Sequence, residues 1–187
     1  MRLAAGVVVA TLGTVDTAFG QANDATEGLR QFNGRIGEYA TLHERLEAPL
    51  PPLRPSRSAR AFLLNRTYLA AAIRAARPGA KILPCLAPPV EPLFRQIVSD
   101  VLVHTDTEAL LKHLYAEHAG VAGFHPRVYD PYPDWATHEM PALLLQALPP
   151  TPRDIEYRLI DHDLVLLDIH ANLIVDVLPD VIPRAGS

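Results

Sequence analysis

Eighteen prolines punctuate this chain, and their clustering constrains its fold more than any other feature. Proline lacks a backbone N–H and fixes φ, so a cluster ends a helix and is shut out of a central strand. APLPPLRP (48–55), LPCLAPP (83–89), HPRVYDPYP (125–133) and ALPPTP (147–152) are therefore joints between elements, not stretches of one extended rod.

The segments between joints carry helical periodicity. From Asp24 to Ala48, the residues Leu29, Phe32, Ile36, Tyr39, His43 and Leu46 recur at spacings of three and four, which draws one apolar stripe down a helix. His43 on that seam reads as a partly buried packing residue. A second helix is expected over Ser56–Arg77, capped by Ser56 or Ser58, with Phe62, Leu63, Leu69, Ile73 and Ala76 inward. Arg60, Arg66, Arg74 and Arg77 fall outside or at the edge, as a solvated face does. Gly79 in RPGAK ends that helix. A third helix, Pro89–His104, has the widest apolar face: Val90, Leu93, Phe94, Ile97, Val98, Val101 and Leu102. A fourth begins at the capping box TDTE (105–108), with Leu110, Leu111, Leu114 and Tyr115 as its stripe.

The stretch 124–141 is irregular and reads as an ordered loop across the core, anchored by Tyr129, Tyr132 and Trp135. A short helix follows, with Pro141 in its first turn. The chain then changes period. Glu156–Ile160, Leu164–Ile169 and Leu173–Leu178 are short runs rich in valine, isoleucine and leucine, separated by DHD and HAN. They predict a three-stranded antiparallel meander, with Asn172 left-handed in the second turn.

Composition bounds the function. Apolar residues make up 49 % of 187, enough for one domain with its own core. A net charge of −4 without a basic block argues against a nucleic-acid partner. The start, MRLAAGVVVATLGTVDTAFGQ, reads as an export signal: Arg2, an apolar run from Leu3 to Val15, and small residues at Ala18 and Gly20 before a cut at Gln21. That run is too short to span a bilayer, and no other run is long enough. The expected organisation is a signal peptide over 1–20 and one periplasmic or secreted domain over 21–187, helical over about 24–148 with the meander over about 155–179. Cys85 is the lone cysteine, so the core must hold without an internal disulfide. In KILPCLAPP it reads as a small apolar filler.

Chemical candidates are few. His113 and Glu117 lie four apart on the fourth helix and share a face, with His118 adjacent. Such a pair holds a divalent metal only if other ligands join it, and His104, His138, Asp161 and His162 are the reserve. The ordinary explanation is helical surface charge. His162 and His170 sit at opposite ends of the middle strand, about 25 Å apart at full extension, so they cannot share an ion. The aspartates of the DHD turn are explained by turn chemistry. No Gly-x-Ser-x-Gly elbow, phosphate-binding loop, dinucleotide fingerprint or cysteine pair occurs.

The stretch LPPTPRDIEYRLIDHDLVLLDIHANLIVDVLPD resembles the closing hairpin of small exported proteobacterial proteins, including ones similar to the periplasmic nickel/cobalt homeostasis family, with Asn172 where that pattern has glycine. Together with FNGRIGEYATLHERLEAPLPPL, AAAIRAARPGAK and VEPLFRQIV, it resembles a family of uncharacterised exported bacterial proteins. ILPCLAPP departs from that family's Gly-Asp-Ile-Phe-Thr-like stretch. The resemblance implies a compartment and a hairpin. It implies no activity, cofactor or ligand set.

The expected architecture is α+β: four or five helices, each with one apolar stripe, packed together with the meander. Tyr157, Leu159, Val165 and Leu167 should join the core or cover a partner. The leading expectation for function is a non-enzymatic envelope protein that binds another macromolecule, such as another envelope protein, or stabilises an assembly, with no cofactor. The alternatives are a metal-binding or metal-stress accessory protein, and a hydrolase with a noncontiguous site.

Overall fold

The computed structural model describes residues 15–51, 58–77, 84–103, 124–136 and 140–183. The fold is α+β, as expected. Helices α1 (Val15–Glu47), α2 (Ala59–Ala76), α3 (Val90–Val103) and the short α4 (Ala142–Ala147) precede strands β1 (Ile155–Ile160), β2 (Asp163–Asp168) and β3 (Leu173–Leu178). The expected helix beginning at TDTE, with Gly79, His104, His113, Glu117, His118 and His138, lies outside the described residues. Among the described residues, no helix is long and apolar enough to cross a membrane.

Helix α1 begins at Val15, not Asp24. No apolar stripe announces those first residues. Once a helix is nucleated, each added residue gains a hydrogen bond without needing to pack. From Phe32 onward the stripe packs as read: Phe32, Ile36, Tyr39 and His43 are buried and Leu46 lies against the core, whereas Leu29 stays exposed. Gly28 takes the inward position beside it, because a Cβ there would stand 3.3 Å from Leu93 and from the Pro89 carbonyl of α3's approach. The rings of Phe32 and Phe94 meet at 4.9 Å and Tyr157 closes on Phe94 at 6.0 Å, which welds α1, α3 and β1.

Helix α2 departs from its periodicity. Ser58 caps it by accepting from the Ala61 N–H. Its buried positions are Asn65, Leu69, Ala70 and Ile73, whereas Phe62, Leu63 and Ala76 are exposed. Asn65 can go inside because its amide donates to the Pro51 carbonyl at 2.8 Å and accepts from His170. Arg77 is also buried, stacked over the Tyr39 ring at 5.2 Å and the Tyr129 ring at 5.8 Å. Apolarity patterns miss both residues, because hydrogen bonds and ring stacking carry them inward.

The sheet is an antiparallel meander in the order β1-β2-β3. Tyr157 pairs with Leu166 and Leu159 with Leu164, so these four face the helices. Val165 faces the other side, in a smaller cluster with Ile160, Ile174 and Ala136, and Leu167 is buried. The four residues expected in one core thus divide between two faces, because strand side chains alternate. A bulge opposite Leu166/Leu167 resets the parity of β3: Leu173 and Val175, then Asp176 and Leu178, all turn toward the helices. Both turns use left-handed residues, Asp161 (φ 55°) and the expected Asn172 (φ 51°).

The irregular segment runs along the outer edge of β3. The Tyr129 N–H donates to the Ile174 carbonyl at 2.8 Å, and the Ile174 N–H donates to the Asp130 carbonyl at 2.9 Å. This occupies an edge that would otherwise offer unpaired backbone groups. Tyr129 anchors the segment through its hydroxyl, which donates to the Arg77 carbonyl. Trp135 is no core anchor: it is 40 % exposed and stands edge-on to Phe124.

Candidate metal centre

The site is built where the C-terminal end of α1 crosses the end of β2. Asp168 closes β2 on its helix-facing side and is fully buried. A buried carboxylate needs donors, and this one has three. The Tyr39 hydroxyl donates to it at 2.7 Å, the Ala171 N–H at 2.8 Å, and His43 Nδ1 lies 2.6 Å away. Tyr39 and His43 are four residues apart on α1, so one helix face delivers both. Burial, and after it the adjacent Asp168 charge, pushes the Tyr39 phenol well above its ordinary range and keeps it a donor.

Asp168 fixes the His43 tautomer. A carboxylate only accepts, so Nδ1 carries the proton and Nε2 presents its lone pair. Nε2 is buried and makes no hydrogen bond. It stands 3.4 Å from Glu47 Oε2, one helical turn on, and 4.0 Å from Asp154 Oδ2. Burial works against protonation of His43, but the Asp168 hydrogen bond and the surrounding carboxylates outweigh it and raise its pKa above the usual histidine value. The site attracts positive charge at this nitrogen.

His170 approaches from the turn after β2. Asn65 donates to the Pro51 carbonyl, which orients its amide so that Oδ1 meets His170 Nε2 at 2.9 Å. That oxygen only accepts, so Nε2 carries the proton and the Nδ1 lone pair faces Glu47 Oε1 at 3.2 Å. The two rings lie 5.7 Å apart. His43, Glu47 and His170 thus bring one donor atom each within 4.8 Å of one another. Each imidazole has its other nitrogen held by a second residue, the arrangement that orients metal-binding histidines.

Of the sequence candidates, His113, Glu117, His118, His104 and His138 lie outside the described residues. Asp161 and His162 sit at the far end of β2, where His162 holds the C-terminal tail and Asp161 Oδ1 lies 3.4 Å from His162 Nε2. His162 Nδ1 lies 2.9 Å from the Ile182 carbonyl, and the His162 carbonyl accepts from the Val181 N–H. His43 is buried as a seam residue should be, yet its role is larger than packing. The signal was present: His43 and Glu47 have the same His-x-x-x-Glu spacing as His113 and Glu117. No spacing rule could add His170 or Asn65 to them. Cys85 is buried, as a filler should be, and burial pushes its thiol pKa up to about 12.

Comparison with protein-family models, with curated proteins and with solved structures finds no match for this chain.

Proposed function

We propose that this protein binds one divalent transition-metal ion of the zinc class through His43 Nε2, Glu47 and His170 Nδ1. One observation carries the reading: two imidazole lone pairs, each fixed by a partner on the opposite ring nitrogen, converge on the same carboxylate. Three electron-pair donors held this way repel one another unless a proton or a metal cation joins them. Tetrahedral zinc, with bonds of about 2.0 to 2.1 Å, places its ligand atoms about 3.3 Å apart. Here His43 Nε2 lies 3.4 Å from Glu47 Oε2 and His170 Nδ1 lies 3.2 Å from Glu47 Oε1. One donor atom from each residue falls within 4.8 Å of the others, close enough for small side-chain shifts to reach that spacing. The nitrogen content favours zinc, nickel or copper over magnesium or calcium, which take oxygen.

The test is metal content of the protein purified without an affinity tag, paired with melting in zinc and in chelator. The expected result is about one ion per chain. At a hundredfold excess over Kd, binding adds about 2.7 kcal/mol, which raises the melting temperature by about 5 to 10 °C. No ion and no shift would end the proposal.

Export to the periplasm or medium belongs to the same proposal, supported by the arginine, apolar run and small residues of 2–20. A second reading, an envelope protein-binding module, is favoured by Phe62, Leu63, Leu64 and Tyr68, which α2 leaves exposed. It requires that Leu63→Glu and Tyr68→Glu leave the melting temperature unchanged. A lowered melting temperature would show the patch packed within the fold and remove this reading.

A further inference from the structure

We infer that Asp154 supplies a fourth metal ligand, so that the ion ties α1 to both ends of the β1–β2 hairpin and closes the site. This rests on the metal reading above. Asp154 precedes β1 and His170 follows β2. Antiparallel pairing brings those ends together: Ile155 pairs with Asp168, and the Ile169 N–H donates to the Asp154 carbonyl at 3.0 Å. The backbone thus holds Asp154 beside the His170 turn, independently of its side chain. Its Oδ2 stands 4.0 Å from His43 Nε2, the buried nitrogen without a hydrogen bond. The side chain is 34 % exposed, which leaves it a rotamer change with which to close the remaining distance.

Coordination number points the same way. Zinc held for structure takes four protein ligands, whereas three leave a position for water. Adding Asp154 completes a set of four, with two nitrogen and two oxygen donors. The ligands then come from three segments distant in sequence, at 43 and 47, at 154, and at 170. An ion bound so joins the helical layer to the sheet.

Cobalt(II) titration of the full chain tests this, because its visible bands report ligand number and type, with zinc competition giving affinity. Asp154→Asn and Asp154→Ala keep the backbone bond to Ile169, and circular dichroism verifies the fold of each. Direct coordination predicts that both variants lose at least about tenfold in affinity, the lower bound for an outer-shell partner, and that the cobalt bands change. Unchanged affinity, or weaker binding with unchanged bands, overturns Asp154 as a ligand and leaves the three-donor site standing. A wild-type chain that takes up neither cobalt nor zinc overturns the metal reading, and this inference with it.

Discussion

Asp168 and Asp176 lie on the same face of the same sheet, at 0 % and 5 % exposure, and are held in different ways. Asp168 is gripped by side chains: Tyr39 and His43 of α1 reach it, with one backbone N–H from Ala171. Asp176 is gripped by backbone: the Leu86 N–H donates at 2.7 Å and its neighbour Val177 at 2.9 Å. Burial raises the Asp176 pKa, and those N–H groups and Arg77 offset it only partly. The first aspartate orients an imidazole whose other nitrogen faces the Glu47 and Asp154 carboxylates. The second clasps the loop before α3, which Arg35 also holds through the Pro84, Ala87 and Pro88 carbonyls. A buried carboxylate therefore carries no role of its own. A titratable partner makes it part of a site, whereas amide partners make it a fastener.

The largest expected effect separates the two most directly. Asp168→Ala leaves Tyr39 and His43 facing each other without an acceptor and should cost about 3 to 5 kcal/mol in urea unfolding of the metal-free protein. A loss below about 1 kcal/mol would show that the grip on Asp168 is incidental. His170→Ala should abolish the zinc-dependent gain of about 2.7 kcal/mol while changing metal-free stability far less. Retention of the full zinc shift would remove His170 from the site. Tyr39→Phe deletes one donor to Asp168 and keeps the other two, for about 1.5 kcal/mol. Measured with and without zinc, its loss should be the same size in both, because Tyr39 supports the carboxylate and touches no ligand atom.

The smallest effect belongs to Asp176 and appears as a slope against pH. Its folded pKa is raised above the ordinary 3.8, so its favourable contribution is complete below that value and is lost as pH rises through the folded pKa. Asp176→Asn removes this titration. Stability of the wild type relative to the variant should decline with rising pH from about 4, by at most about 1.4 kcal/mol per pH unit. A parallel pair of stability curves would show that Asp176 does not titrate across folding.

Legibility followed the kind of force at work. Where burial of apolar surface decides, the pattern sufficed: Phe32, Ile36 and Tyr39 on α1, Val90, Phe94 and Val98 on α3, and three strands within a residue or so of their bounds. Left-handed Asn172 was legible from its own chemistry. Where a polar group is carried inside by a partner from another element, the pattern misled. It placed Phe62 inward and gave no signal for Asn65 or Arg77, because hydropathy records a residue's cost of burial and not the bond that offsets it.

The sequence alone determined the local periods, the joints and turns, and hence an α+β chain of helices followed by a meander. It also set His43 and Glu47 on one face of α1, since a spacing of four fixes that without any tertiary contact. Only the tertiary structure decided that this face meets the end of β2, that Asp168 selects the His43 tautomer, and that Asn65 turns His170 toward Glu47. Those pairings join residues from 105 to 125 positions apart. Spacing rules act over one turn of helix or one hairpin, and a site assembled by packing lies beyond their reach.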